Sequence, residues 1–509
     1  MRPDFAMPVP VPSTSRAEET LMPEAGALAS RVAAGPGAWA DEEWLADLRR
    51  ESLLESLLAD GTVAAAAGAD HEHKLERALN AEVTALCLFC GALFPVLGYD
   101  GVLALVFGLP GVPVRPGTPV PTGPAYSKAR ARSGEGPARA MFFRDAARTD
   151  IPAGEDGTAF GLELTQVDGT TLELFNDPAL AEEFGVPAPG AKPLLRLVGL
   201  LHAATRRWKA AVIGRYLDGE NALADGLEGY FGPGQLNLAD RGFFSMDRWI
   251  RFAAAGAHLL WRVKNGAKCV PFKTLKILKD GSELVLLRES SAMRTRRRKA
   301  AGDKALPCLP DTAARLVCFT VLTRTRSGRV KTTQIRLLTT LLDPDLYPAA
   351  ELAALYGKRW IIEIAFLHLK RTVRGARRTL RARSPELARQ EAWAFLLAHN
   401  AIAGLAARAA ALAGLTPGEI VFTAVLSLTR AAVTADTSCP HCGKRSTSAN
   451  APLAGLGTAI EALPPGRTGR QRTSGRTAAQ RRTWTSEPAD YTLTIVPSNL
   501  PKTDVSLAS

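Results

Sequence analysis

Residues 356–370 read Tyr356-Gly357-Lys358-Arg359-Trp360-Ile361-Ile362-Glu363-Ile364-Ala365-Phe366-Leu367-His368-Leu369-Lys370, and the fold is read outward from them. Wound as a helix at about 100° per residue, the stretch places Tyr356 at about 0°, Arg359 at about 300°, Glu363 at about 340° and Lys370 at about 320°. All four fall within about 60° of arc. The adjoining face carries Leu355, Ile362, Phe366 and Leu369, enough apolar surface to seat the helix on a sheet. An acid flanked by Arg and Lys is also what an intrahelical ion-pair ladder looks like, worth roughly a few tenths of a kcal/mol per pair. The tyrosine one turn before the arginine, and the lysine two turns beyond the glutamate, set this stripe apart.

Upstream of the helix the chain alternates. Phe160 to Val167 predicts a strand, Asp168-Gly169 a hairpin turn, and Thr171 to Phe175 the returning strand. Leu194 to Ala204 and Trp208 to Tyr216 predict two more strands. A helix over Asn221 to Gly229 is followed by a strand over Gln235 to Ala239 that delivers Asp240. A helix from Ser245 to Ala255, a strand from Ala257 to Val263, a β-rich insertion over 266–334 and a strand from Ile335 to Leu342 complete the approach. Helicity from Pro348 is expected to run to about Thr379. The order is α+β: helices covering a mixed sheet.

Five segments are expected. Residues 1–40 form a disordered leader, 41–111 a helical N-terminal domain, and 112–150 a Pro-rich linker with a basic segment. Residues 151–425 form the α+β domain that carries the 356–370 stretch, and 426–509 a flexible basic tail. In the basic segment Tyr126 to Arg148, helicity should break at Gly134, Gly136 and Pro137.

The pattern filled by Tyr356, Arg359, Glu363 and Lys370 resembles the Y-(2)-R-(3)-E-(6)-K signature of bacterial transposases of the insertion-sequence-4 family. Val167-Asp168-Gly169-Thr170 looks like the first-aspartate motif of that family, and Leu238-Ala239-Asp240-Arg241-Gly242-Phe243 like its second. The resemblance covers roughly residues 115–410. It implies a ribonuclease-H-like core in which Asp168, Asp240 and Glu363, 72 and then 123 residues apart, hold two divalent ions. Hard oxygen ligands suit Mg²⁺ or Mn²⁺, and a two-ion site can activate the attacking oxygen and stabilise the leaving one. The resemblance further implies that Tyr356, Arg359 and Lys370 hold DNA phosphates. The partners would be double-stranded DNA, as transposon ends and target, and at least one further copy of the chain. In some relatives a Trp of the insertion stacks on a flipped base; residues 266–334 contain none.

The bland alternatives are a hairpin turn for Asp168-Gly169 and a helix cap for Asp240. Rival functions are a nuclease with the same core that cuts without joining, and a non-catalytic DNA-binding protein descended from a transposase.

Composition agrees with a DNA-acting protein. Of 509 residues, 63 are Lys or Arg and 50 Asp or Glu, a formal charge of +13, which calls for a polyanionic partner. Arg-rich runs at 294–299, 371–383 and 467–482 favour backbone contact with nucleic acid. Seven cysteines are too few for a disulfide scaffold. The N-terminus lacks a signal-peptide core, and the longest unbroken apolar stretch, Ala85 to Tyr99, contains Pro95 and is too short to span a bilayer. A cytoplasmic, nucleoid-associated protein is expected. Cys439-Pro440-His441-Cys442 looks like half of a zinc knuckle, but no second Cys or His pair follows to close a four-ligand site. Asp70-His71-Glu72-His73 could bind metal but reads better as an exposed polar helix stretch. No phosphate-binding loop, dinucleotide fingerprint or nucleophile elbow is present.

Overall fold

The computed structural model describes residues 57–58, 61–68, 77–109, 112, 117–265, 270–324, 330–375, 379–435 and 491–495. The leader, the 70–73 stretch, the 439–442 half-knuckle and the basic run at 467–482 lie outside the described residues.

The chain enters through helices α1 (Thr62–Gly68), α2 (Ala81–Leu93), α3 (Tyr99–Gly108), α4 (Gly123–Ser133) and α5 (Gly136–Ala146). Asn80 caps α2 by accepting from the Val83 N–H at 2.9 Å, supplying one of the bonds a helix start lacks. The basic segment is two helices. They break at Gly134, whose φ of +64° favours a residue without a side chain.

After β1 (Thr158–Ala159), strand β2 runs without interruption from Leu162 to Glu173. The hairpin expected at Asp168-Gly169 does not form. Gly169 stays in the ladder opposite Val198 of β3 (Leu194–His202), and Asp168 opposite Gly199. Helix α6 (Pro178–Phe184) intervenes, and β4 (Arg207–Arg215) follows. Helix α7 (Gly219–Ala224) and a 3₁₀ stretch, Asp225–Tyr230, stand where one helix was expected. Then come β5 (Gln235–Ala239), α8 (Met246–Ala254) and β6 (His258–Val263). Ser245, rather than Asp240, caps α8, its hydroxyl accepting from the Arg248 N–H at 3.2 Å.

The insertion contributes β7 (Phe272–Ile277), β8 (Glu283–Leu287), helix α9 (Ser291–Ala301) and β9 (Thr312–Arg324). The basic run Arg294 to Lys299 thus lies on a helix. Strand β10 (Val330–Thr339) leads to α10 (Ala349–Tyr356), a 3₁₀ turn Gly357–Arg359 and α11 (Trp360–Leu367). A π-helical segment, His368–Val373, follows. The continuous helix expected over 348–379 is therefore three conformations in series. Helices α12 (Pro385–Leu412) and α13 (Phe422–Ala435), the latter running past the expected start of the tail, precede β11 (Tyr491–Ile495).

One sheet of 11 strands collects β4-β3-β2-β5-β6-β10-β9-β8-β7, with β1 on β2 and β11 on β9. The pairs β2–β5 and β5–β6 are parallel and the others antiparallel. Residues alternate between two cores. Leu164, Leu172, Leu236, Leu238 and Leu260 face α11 and α12, while Val167, Val198, Ala239, Leu259 and Trp261 pack against Phe243, Trp249 and Phe252. Helices α2 to α5 share the first core with α12 and the sheet. Helix α12, 28 residues, is the one described helix long and apolar enough to cross a membrane, but 83% of its apolar window is buried inside the protein.

Two buried charges fasten distant parts. Arg315 of β9, wholly buried, donates to Ser282 Oγ at 2.7 Å and to Tyr347 O at 2.6 Å, and also bonds Asp280. It joins the β7–β8 turn to the loop that launches α10. Asp145 of α5 receives Arg207 of β4 at 2.7 Å, with side chains 0% and 5% exposed. Removing one member of such a pair strands the other charge. Asp145→Ala is expected to lower unfolding stability by about 3–5 kcal/mol, read as a fall in the urea midpoint at unchanged slope. An unchanged midpoint refutes the assignment.

Candidate active site

The parallel register of β2 and β5 runs from Glu163↔Gln235 to Val167↔Ala239 and ends there. The next residue on each strand is an aspartate. Asp168 and Asp240 therefore step off the shared ladder together, on strands about 4.8 Å apart. Alternation from Leu164 and from Leu236 and Leu238 puts both on the face covered by α11.

Three residues of β2 on that face each engage the segment 356–370. Gln166 bonds its backbone, with Oε1 accepting from the Ile362 N–H and Nε2 donating to Lys358 O, both at 2.8 Å. Asp168 faces Arg359, Oδ2 to Nη1 at 3.7 Å. Thr170 Oγ1 lies 3.0 Å from Lys370 Nζ. The second aspartate meets the same segment, with the Tyr356 hydroxyl 3.4 Å from Asp240 Oδ1 and from Ala239 O. Burial pushes the Tyr356 phenol up, keeping it a hydrogen-bond donor. Arg262 of β6 approaches Asp240 Oδ1 at 3.6 Å. On α11, Glu363 Oε1 accepts from Arg359 Nη2 at 2.7 Å.

All six residues singled out from the sequence thus lie where the segment 356–370 meets β2 and the end of β5, and Arg359 joins two of the acids. Its guanidinium stands between Asp168 and Glu363, paired with both. Among the described residues, no three acidic, histidine or cysteine side chains form a group that could hold a metal ion as they stand. The donors themselves are carboxylate oxygens, which fit a hard divalent cation.

Three neighbours were not singled out. Gln166 and Thr170 lie two residues either side of Asp168, at the spacing of one strand face, but the expected hairpin hid that face. The third is Glu220 of α7. A Cβ on Gly169 would sit 2.7 Å from the Glu220 carboxyl carbon, so glycine there lets this acid approach the strand from the opposite face.

The transposase DDE domain profile matches residues 217–401, a span that takes in Asp240 and Glu363 and begins after Asp168. Residues 217–401 are thus similar to the DDE domain of transposases. It is 32% identical over 249 residues to transposase InsG for insertion sequence element IS4 of Escherichia coli, covering 48% of this chain and 52% of that protein. The chain therefore spans about half the length of the curated relative it matches. The resemblance to insertion-sequence-4 transposases read from Tyr356, Arg359, Glu363 and Lys370 is borne out. Among solved structures, a piggyBac transposase synaptic complex with hairpin DNA aligns with 87% of this chain and 88% of its own. The identity is 10% and the TM-score 0.37.

Burial, with Glu363 and Glu220 nearby, pushes the Asp168 carboxyl up to about 7 against the pull of Arg359 and the Gly169 N–H. An unfolded aspartate titrates near about 3.9. Between about pH 4 and 7 the unfolded chain therefore releases a proton that the folded protein keeps, and stability falls as pH rises through that window. Asp168→Asn is expected to flatten this slope and to make the metal-free protein more stable at pH 8 by on the order of 2 kcal/mol. Urea unfolding at pH 4.5 and pH 8 checks it; an identical slope in the variant refutes it.

Proposed function

We propose that this chain is a metal-dependent transposase that cuts at its element's terminal inverted repeats and joins the freed 3′ ends to target DNA. The observation that carries the reading is the side-by-side exit of Asp168 and Asp240 from a parallel strand pair, beneath a helix that presents Glu363. The strand order β4-β3-β2-β5-β6, antiparallel on one side of β2 and parallel on the other, supports a ribonuclease-H-like core.

In this reading Asp168, Asp240 and Glu363 are the catalytic metal ligands for two Mg²⁺ or Mn²⁺ ions. Such ions supply an activated oxygen nucleophile and charge stabilisation on the leaving oxygen. Arg359 releases Glu363 and Asp168 when DNA arrives, exchanging carboxylates for phosphate. Guanidinium suits either anion, since both accept its forked donors. Tyr356 donates its hydroxyl, and Lys370 adds a point charge one strand residue pair further along, beside Thr170. The substrate is double-stranded DNA, with the helical N-terminal domain 41–111 recognising the transposon ends and two or more copies assembling on paired ends. The chain acts at the nucleoid, without a membrane.

One observation favours a second reading. The pairing of Arg359 with Asp168 and Glu363 would also serve a DNA-binding protein that has no catalysis. Strand cleavage decides between them. With Mg²⁺ and end DNA, Asp168→Ala, Asp240→Ala and Glu363→Ala are each expected to lose cleavage to background while retaining DNA binding. Full activity in any one of them sinks the assignment, and a wild-type chain that binds but never cuts selects the second reading. Lys370→Ala is expected to weaken DNA binding alike across sequences and to reduce the magnitude of the log K against log salt slope by about 1. An unaltered slope removes Lys370 from the phosphate contacts.

A further inference from the structure

The segment that presents Glu363 shares two backbone groups around its first turn with a side chain of β2. In a regular helix the Ile362 N–H donates to the Lys358 carbonyl, four residues back. Here both groups turn to one side chain. The Ile362 N–H donates to Gln166 Oε1 at 2.8 Å, and Gln166 Nε2 donates to Lys358 O at 2.8 Å. Only one orientation of the amide satisfies both partners, so the assignment of its oxygen and nitrogen is fixed by the contacts.

We propose that Gln166 is a positioning residue of the active site, spliced into the hydrogen-bond ladder of the 356–367 helix so that the strand bearing Asp168 sets where Arg359 and Glu363 stand. The inference rests on the transposase reading above for what is positioned, but not for the splice itself. Three observations carry it. Gln166 is fully buried, 0% exposed, with no role as a solvated surface amide. The splice joins residues 358 and 362, so it spans Arg359 and ends one residue before Glu363, and it overlaps the 3₁₀ turn Gly357–Arg359 before α11. A side chain inserted into an i→i−4 ladder is a recognised cause of a bend. Moreover, Gln166 and Asp168 share one face of β2, two residues apart. A shift of the strand therefore moves the first aspartate and the helix backbone together, and the amide adds a directional tie to the ion pairs of Arg359 and the apolar packing of α11.

Gln166→Leu tests this. It keeps most of the volume and removes both hydrogen bonds, and it leaves the Ile362 N–H able to bond Lys358 O directly, so the fold survives. With saturating end DNA and Mg²⁺, single-turnover cleavage is expected to fall by about 100-fold, at an unchanged half-saturating DNA concentration and an unchanged thermal midpoint. Hydrogen exchange of the peptide spanning 356–367 is expected to accelerate, because the helix has lost its tether to β2, with exchange elsewhere unaltered. Gln166→Met provides a second variant of similar volume and should behave alike. Cleavage equal to wild type overturns the proposal. So does a parallel loss of cleavage, DNA binding and thermal midpoint, which would make Gln166 an ordinary core residue. Should the wild-type chain itself fail to cleave, the transposase reading fails, and the exchange of 356–367 still decides the splice: acceleration upholds it, no change refutes it.

Discussion

The arrangement depends on the parallel pairing of β2 with β5. Five residue pairs bring two segments 72 positions apart into one register, and the register ends where an aspartate follows on each side. A slip of one residue would turn Asp240 to the other face of the sheet. Buried polar contacts oppose that slip. Asn237 Nδ2 donates to Thr165 Oγ1, its partner across the ladder, at 3.0 Å, and Asn237 Oδ1 accepts from Trp261 Nε1 at 2.9 Å. An amide buried in this way is satisfied in only one alignment, and misalignment leaves it without partners in an apolar core.

Above this pair the electrostatics are balanced by one cation. Carboxylates near one another and away from water resist ionisation, as the raised Asp168 shows. Arg359 answers part of that cost from the 3₁₀ turn just before α11, holding Glu363 and facing Asp168. The segment that supplies the third acid thus also supplies the counter-charge. Any ligand that enters must either replace Arg359 or use it.

Much of the site was legible in the chain because its signals are local. The spacing of Tyr356, Arg359, Glu363 and Lys370 carries its own geometry, and Asp240 follows a strand whose alternation is plain. The expected turn at Asp168-Gly169 failed because the dipeptide favours a turn locally, whereas β3 pairs with β2 on both sides of it. Tertiary pairing overrode the local preference. The broken helix was invisible for the same reason. Its interruption comes from Gln166, almost 200 residues earlier in the chain, and no periodicity within 348–379 announces it. Helix α13 continues past the point where composition turns polar, since Val425, Leu426, Ala432 and Val433 still reach the core.

The guanidinium of Arg315 makes the size of the insertion less adjustable than its place between two acids would suggest. It is held at once by the β7–β8 turn and by the loop that ends at Tyr347, two residues before α10 begins. Trimming that turn would take the Asp280 counter-charge from a cation in the interior and loosen the footing of the helix that follows. Length variation, natural or engineered, is better tolerated at the far end of the same insertion, in α9 and the stretch 302–311, where the side chains stand largely in solvent.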